Sequence, residues 1–236
     1  MGFINCELFP NFTIGDFSPV CVMAVVNLSP ESFFKGSFVS EEILTSTCRS
    51  FISNGAKILD LGARSTAPWS KKITLEEERQ RVEKALDALS GEIPEEIVLS
   101  IDTQYSKVAE MALEKGEELD LRMMINDVSS FTTDKKLMDV VVDFDCPAVI
   151  MASEEETGDA KSVREILSAL QTTIDRLKER DYDVSKLIVD PGIGKWVKEK
   201  TYEYDLSMLD NLEDFRAFGL PILVGLSRKS FIGTVL

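Results

Sequence analysis

With 236 residues, of which 44% are hydrophobic and 28% charged, the chain has the composition of a globular protein with a sizeable core. That excludes a disordered, collagen-like or coiled-coil chain, and the balance of 26 basic against 41 acidic residues (net charge −15) disfavours nucleic-acid and anionic-membrane partners. The chain contains no histidine, which removes Ser-His-Asp triads, Cys-His pairs, HExxH zinc sites and imidazole bases.

In chain order, residues 1–19 read as two short extended pieces joined by a turn at Phe9-Pro10-Asn11, a hairpin suited to plugging the bottom of a barrel. Apolar, β-rich runs follow at Val20–Val26, Lys57–Leu61, Ile97–Ile101, Arg122–Ile125, Ala148–Met151, Leu187–Val189 and Ile222–Val224. Helical stretches fall between them. Thr74 to Glu77 is a capping box opening a helix whose Leu75, Val82, Leu86 and Leu89 share a face. Ser162 to Glu165 opens another, with Val163, Ile166, Leu170, Ile174 and Leu177 on its apolar side. Leu206, Leu209, Leu212 and Phe215 predict a third helix that stops at Gly219 before Pro221, and Gly55 and Gly116 predict the ends of two more. Neither a linker nor a low-complexity tract interrupts the pattern, so residues 1–236 read as a single domain.

Strand–helix alternation with continuous apolar strands implies a parallel sheet covered by helices. Asn27, Gly62, Asp102, Asn126, Asp190 and Ser227 follow their strands directly, and Met151 closes the fifth run. Side chains at so many carboxyl ends converge on one point only if the strands form a ring, so an α/β fold of the TIM-type (β/α)8 barrel is expected, with seven strands visible. The length falls just below the roughly 250 residues typical of that barrel, and the expectation is that the region of the eighth strand lies beyond Leu236. Cys6, Cys21, Cys48 and Cys146 stand alone, as reduced thiols do. The longest apolar run, Val20–Val26, is far short of the roughly 20 residues that span a bilayer, and the N-terminus lacks a signal-peptide pattern; a soluble, cytoplasmic protein is expected.

The loops after the strands carry the chemistry. Asn27 to Phe33 (Asn-Leu-Ser-Pro-Glu-Ser-Phe) holds an amide, hydroxyls, a carboxylate and an aromatic ring, suited to closing over a charged substrate. Gly62 to Pro68 offers Arg64, Ser65 and Thr66. Asp102 and Asn126-Asp127 end two strands, where such residues equally serve as helix caps. Asp190-Pro191-Gly192 with Gly194, and Ser227-Arg228-Lys229-Ser230, complete a set that favours an anionic or polar heteroaromatic ligand.

Taken together, Asn27–Phe33, Gly62–Pro68, Ser100–Thr103, Ile125–Val128, Asp190–Gly194 and Gly225–Ser230 resemble dihydropteroate synthase, in order, from about residue 20 to the end. The resemblance implies a barrel that binds 6-hydroxymethyl-7,8-dihydropterin pyrophosphate, expels pyrophosphate with Mg²⁺, and joins the exposed methylene to the amine of p-aminobenzoate. It implies that Asp102, Asn126, Met151, Asp190 and Lys229 hold the pterin. Asn27 would meet the metal and the pyrophosphate, with Arg64 as a further pyrophosphate contact, and Asn27 and Lys229 are the residues expected to serve catalysis. Pro30, Phe33, Ser65, Thr66 and Ser227 would surround p-aminobenzoate. The chemistry of the matched side chains agrees: an ionised Asp190 accepts two N–H bonds, Asn126 both donates and accepts, and Lys229 only donates.

The chain departs from the family pattern at four places. Ser65-Thr66-Ala67-Pro68 stands where the family has Ser-Thr-Arg-Pro, Met151-Ala152-Ser153 replaces Met-His-Met, and Lys195-Trp196-Val197-Lys198 stands where the family places Phe near Lys. The family's Arg-x-His anion site is not reached before Leu236. The alternatives are a non-catalytic pterin-binding relative and a pterin-dependent methyltransferase domain. A homodimer is compatible with any of these.

Overall fold

A computed structural model describes residues 2–31, 38–65, 72–229 and 232–235. In chain order the elements are β1 (Asn5–Phe9), β2 (Phe12–Gly15), β3 (Val22–Asn27), α1 (Glu41–Ser53), β4 (Ala56–Gly62), α2 (Leu75–Leu89), β5 (Val98–Asp102), α3 (Ser106–Glu118), β6 (Arg122–Asp127), α4 (Lys136–Asp143), β7 (Ala148–Met151), α5 (Val163–Lys178), β8 (Leu187–Asp190), α6 (Tyr202–Asp210) and α7 (Ile232–Val235). β1 and β2 form an antiparallel pair, and β3 to β8 stand in sequence order in a six-stranded sheet. Consecutive parallel strands with a helix in each crossover are the repeat from which a (β/α) barrel is built. Among the described residues no helix is long and apolar enough to cross a membrane.

The residues fall into two compact units, one of residues 20–126 with 136–146, the other of 1–19, 127–135 and 147–236. In the first, β4 buries every residue except Lys57, and β5 is equally apolar, as expected of strands covered on both faces. Both predicted capping boxes form: Thr74 Oγ1 accepts the Glu77 N–H at 3.1 Å in this unit, and Ser162 Oγ accepts the Glu165 N–H at 3.2 Å in the other. In the second unit the β1–β2 hairpin turns through Asn11 at φ +63°. It packs on the short 3₁₀ turn Val184–Lys186 that leads into β8, and Asp16 takes a bidentate contact from Arg216 at 2.9 and 2.7 Å. The hairpin therefore sits at the N-terminal end of β8.

Three expectations are corrected. Gly116 does not end a helix: α3 runs on to Glu118, and the left-handed residue is Asp120 at φ +53°. The glycine serves close packing, because a Cβ there would lie 2.2 Å from Met123 Cγ. The helix striped by Leu206, Leu209, Leu212 and Phe215 is instead α6 followed by a 3₁₀ segment, Leu212–Phe218. Residues spaced strictly by three drift around an α-helix by about 60° per step but eclipse in a 3₁₀ helix. Accordingly α6 buries Asp205 and Met208, and the 3₁₀ segment buries Phe215. Gly219 does end the segment, in the left-handed conformation at φ +68°. The seventh run, Ile222–Val224, makes only a single bridge to Val189, through Val189 N to Pro221 O (2.9 Å) and Leu223 N to Val189 O (2.8 Å). Pro221 has no N–H to donate and Gly225 follows at once, so the ladder cannot lengthen.

Candidate active site

The register of the first unit sets four residues side by side at the carboxyl ends of its strands. Asn27 pairs with Gly62, Gly62 with Asp102, and Asp102 with Asn126. The row is close at Gly62, where a Cβ would lie 3.3 Å from Asp102 Oδ2. One layer below, Asp60 is paired in register with Ser100. Its carboxylate accepts Ser100 Oγ at 2.7 Å and Asn126 Nδ2 at 3.3 and 3.2 Å. Burial raises the Asp60 carboxyl to about 6, against the opposing effect of these two hydrogen bonds. Sequence reasoning missed Asp60; a carboxylate inside the apolar run Ala56–Gly62 was the available signal.

The loops after β3 and β4 are anchored on α2. Asn27 Oδ1 accepts the Ser29 N–H at 3.0 Å, and Arg81 reaches both Glu31 Oε1 (2.7 Å) and the Ala63 carbonyl (3.0 Å). Arg64 Nε donates to Glu78, whose side chain is 1% exposed, and Nη1 donates to the Ile73 carbonyl at 2.8 Å. The guanidinium also lies 4.9 Å from the centre of the Tyr105 ring, and Thr103 Oγ1 donates to Glu78 Oε1 at 2.7 Å. Arg64 is thus held by Glu78, Ile73 and Tyr105 of its own unit. Pro30 is exposed and Ser65 half-buried, while Phe33 and Thr66 lie outside the described residues.

In the second unit Met151 and Asp190 pair in register at the ends of β7 and β8. Asp190 Oδ1 accepts the Gly192 N–H at 2.7 Å. Burial raises this carboxyl to about 6, and the Gly192 N–H, Lys229 and Lys200 act in the opposite direction. Gly194, at φ +122°, lies against Lys229: a Cβ there would be 2.7 Å from Nζ. The same ammonium stands 5.5 Å from the Trp196 ring, so an aromatic residue does accompany Lys229 despite the altered motif. Lys200, which the sequence did not distinguish from Lys195 or Lys198, is 2% exposed and donates to the Gly192 carbonyl at 2.9 Å. Burial lowers its ammonium to about 8. Asp205 Oδ1 accepts the Gly194 N–H at 2.7 Å, so the loop after β8 is fixed at two successive glycines.

Asp127 has the alternative, structural role that its position allowed. It accepts the N–H groups of Ser129 (2.8 Å) and Phe131 (2.6 Å) and the Ser129 hydroxyl (2.7 Å), which ties the turn after β6. Ser227 is exposed and precedes Arg228, which adopts φ +59°. Among the described residues no three His, Cys, Asp or Glu side chains gather as a metal cage. Asn27 Oδ1 accepts the Ser29 N–H, and an amide oxygen of this kind is a ligand type suited to Mg²⁺.

Residues 23–236 match the model of the family described as "pterin binding enzyme". The dihydropteroate synthase of Clostridium beijerinckii is 35% identical over 95% of this chain and 80% of its own length, and that of Bacillus subtilis is 32% identical over 91% and 72%. A dihydropteroate synthase of Coxiella burnetii solved with pteroic acid superposes with a TM-score of 0.82 at 28% identity, covering 98% of this chain and 82% of that one. The Xanthomonas albilineans enzyme solved with 4-aminobenzoic acid gives 0.81 at 28% identity, covering 99% and 82%. Strand order, the polar row at the strand ends and these likenesses agree, and the chain belongs to the dihydropteroate synthase family of pterin-binding enzymes.

Proposed function

We infer that this chain is a transferase that joins 6-hydroxymethyl-7,8-dihydropterin pyrophosphate to p-aminobenzoate, forming dihydropteroate and releasing pyrophosphate. The observation that carries the reading is the half-buried Asp190 carboxylate in the field of Lys229, at the end of β8. A pterin presents N–H donors beside a carbonyl and ring nitrogens, which matches an acceptor next to a cationic donor. We assign Asp190 to the N–H groups and Lys229 to the carbonyl and ring nitrogen. Met151, Asp102 and Asn126 are assigned to the same substrate.

In the reaction the C–O bond to pyrophosphate breaks, a C–N bond forms at the methylene carbon, and the arylamine gives up a proton. The chain's part is positioning and charge stabilisation, with no covalent intermediate on the protein. Asn27 and Arg64 are assigned to the departing pyrophosphate. Mg²⁺, when bound, would shield the pyrophosphate charge, with Asn27 supplying one oxygen to it. Pro30, Phe33, Ser65, Thr66 and Ser227 are assigned to p-aminobenzoate, with a hydroxyl available for its carboxylate.

Incubation with the pterin pyrophosphate, p-aminobenzoate and Mg²⁺ tests the reading. Pyrophosphate release that requires p-aminobenzoate is expected. Pterin binding without release would mark a non-catalytic relative, and methyl transfer from a methylated tetrahydropterin would mark a methyltransferase. Asp190→Asn removes two charge-assisted bonds at about 1.5 kcal/mol each, so pterin affinity should fall about 100-fold. Unchanged affinity by calorimetric titration would place the pterin elsewhere.

A further inference from the structure

We propose that Lys200 is a positioning residue for the pterin: it holds the Gly192 carbonyl, and through Gly192 it fixes the Asp190 carboxylate assigned to the substrate. The inference rests on that assignment of Asp190. All three residues belong to the second unit, where Lys200 is 2% exposed, a burial that lysine almost never reaches unless its charge is paired.

The contacts run through one residue. The Gly192 N–H donates to Asp190 Oδ1 at 2.7 Å, and the Gly192 carbonyl accepts Lys200 Nζ at 2.9 Å. Pro191, between Asp190 and Gly192, has its φ locked by its ring. Gly192 itself sits at φ +72°, and a glycine backbone turns more freely than any other, so this turn needs an external hold. Lys200 supplies it on the carbonyl side. Asp205, 4% exposed, makes the second tie by accepting the Gly194 N–H at 2.7 Å, so the turn is held on both sides of the buried Ile193. Without the ammonium a buried carbonyl loses its donor, and Gly192 is released from the conformation in which its N–H meets Asp190. The charge matters as well. Asp190 lies in the field of Lys229 and Lys200, and Lys200 in that of Asp205, Asp190, Lys229 and Asp159. Both cations favour the ionised Asp190, the form that accepts two N–H bonds. Lys229 is assigned to the ligand itself, whereas Lys200 acts through the loop and keeps the acceptor aimed and charged.

Calorimetric titration of the pterin pyrophosphate, without p-aminobenzoate, tests this at two pH values. Each variant is compared with the original chain as a ratio of affinities, in which the titration of the ligand cancels. Lys200→Met removes the donor and the charge, so affinity should fall about tenfold at about pH 7.5, with the KM for p-aminobenzoate unchanged. Near pH 6 the deficit should widen by about a further threefold, because without the Lys200 cation Asp190 takes up a proton at a higher pH and ceases to accept. A purely structural defect would weaken binding equally at both. A loss below about threefold at the higher pH, or a deficit that is the same at both, overturns the proposal. Should Lys200→Met lose the circular dichroism of the original chain, Lys200→Gln, which removes the charge but keeps a polar donor, decides by the same widening toward pH 6. An original chain that binds no pterin would instead refute the functional reading on which the inference rests.

Discussion

Replacing Glu78 by leucine should cost far more stability than replacing Glu78 and Arg64 together. Glu78 is 0% exposed and accepts hydrogen bonds from Thr103 and Arg64, while the Arg64 side chain is 17% exposed and also bound to Ile73 and Tyr105. Removing the carboxylate strands a mostly buried guanidinium and an unpaired hydroxyl. Loss of one member of a buried pair typically costs 3–5 kcal/mol, and about 4 kcal/mol is expected for Glu78→Leu. For a chain of this length that lowers Tm by roughly 8–16 °C. Arg64→Met should be similarly costly, because it leaves an anion in a fully buried position. Glu78→Leu/Arg64→Met replaces the pair by apolar groups of comparable volume and should recover all but about 1–2 kcal/mol, the residue being the unpaired Thr103 hydroxyl. Equilibrium unfolding in urea of the four proteins measures the cycle. A single-variant cost below about 1 kcal/mol, or a double-variant cost equal to the sum of the singles, would refute the view that this pair is a coupled, desolvated unit.

Gly116→Ala, which in an exposed helix would stabilise by about 1 kcal/mol, should here destabilise by about 1–2 kcal/mol, because the new methyl meets Met123 Cγ at 2.2 Å. A raised urea midpoint would show that Met123 moves aside at no cost. Stability should also depend on pH in two separate windows. Asp60, Asp127 and Asp190 are raised to about 6 by burial, so the folded state binds their protons more tightly than the unfolded state. Unfolding free energy should therefore fall as pH rises from about 4 to 6, by an order of 3 kcal/mol per group, and an urea midpoint that climbs over this range would contradict it. Lys200, lowered to about 8, has the opposite effect: the unfolded state holds its proton more tightly, so stability should recover between about pH 8 and 10.5.

The polar residues at the strand ends were legible because parallel strands of an alternating α/β chain end on one side. A residue that follows an apolar run is thereby placed at that edge before any coordinate is known. Asn27, Asp102, Asn126 and Asp190 were located in this way, and the two capping boxes were equally local in origin. Gly116 and the 206–215 stripe misled because a glycine admitting Met123 and one ending a helix look alike in one dimension, as do stripes of period 3.0 and 3.6.

What the linear chain determines by itself, then, is the alternation of strands and helices and the set of side chains delivered to the strand ends. These depend on periodicity and capping within a few residues. The tertiary structure alone decides which of those side chains are free to act. Arg64 turns from a loop cation into the partner of Glu78, Asp127 becomes a turn tie, and Asp60 becomes a buried acceptor for the Asn126 amide. The physical reason is that hydrogen-bond and ion-pair partners lie tens of residues apart, and their strength depends on burial that only the packed strands and helices create.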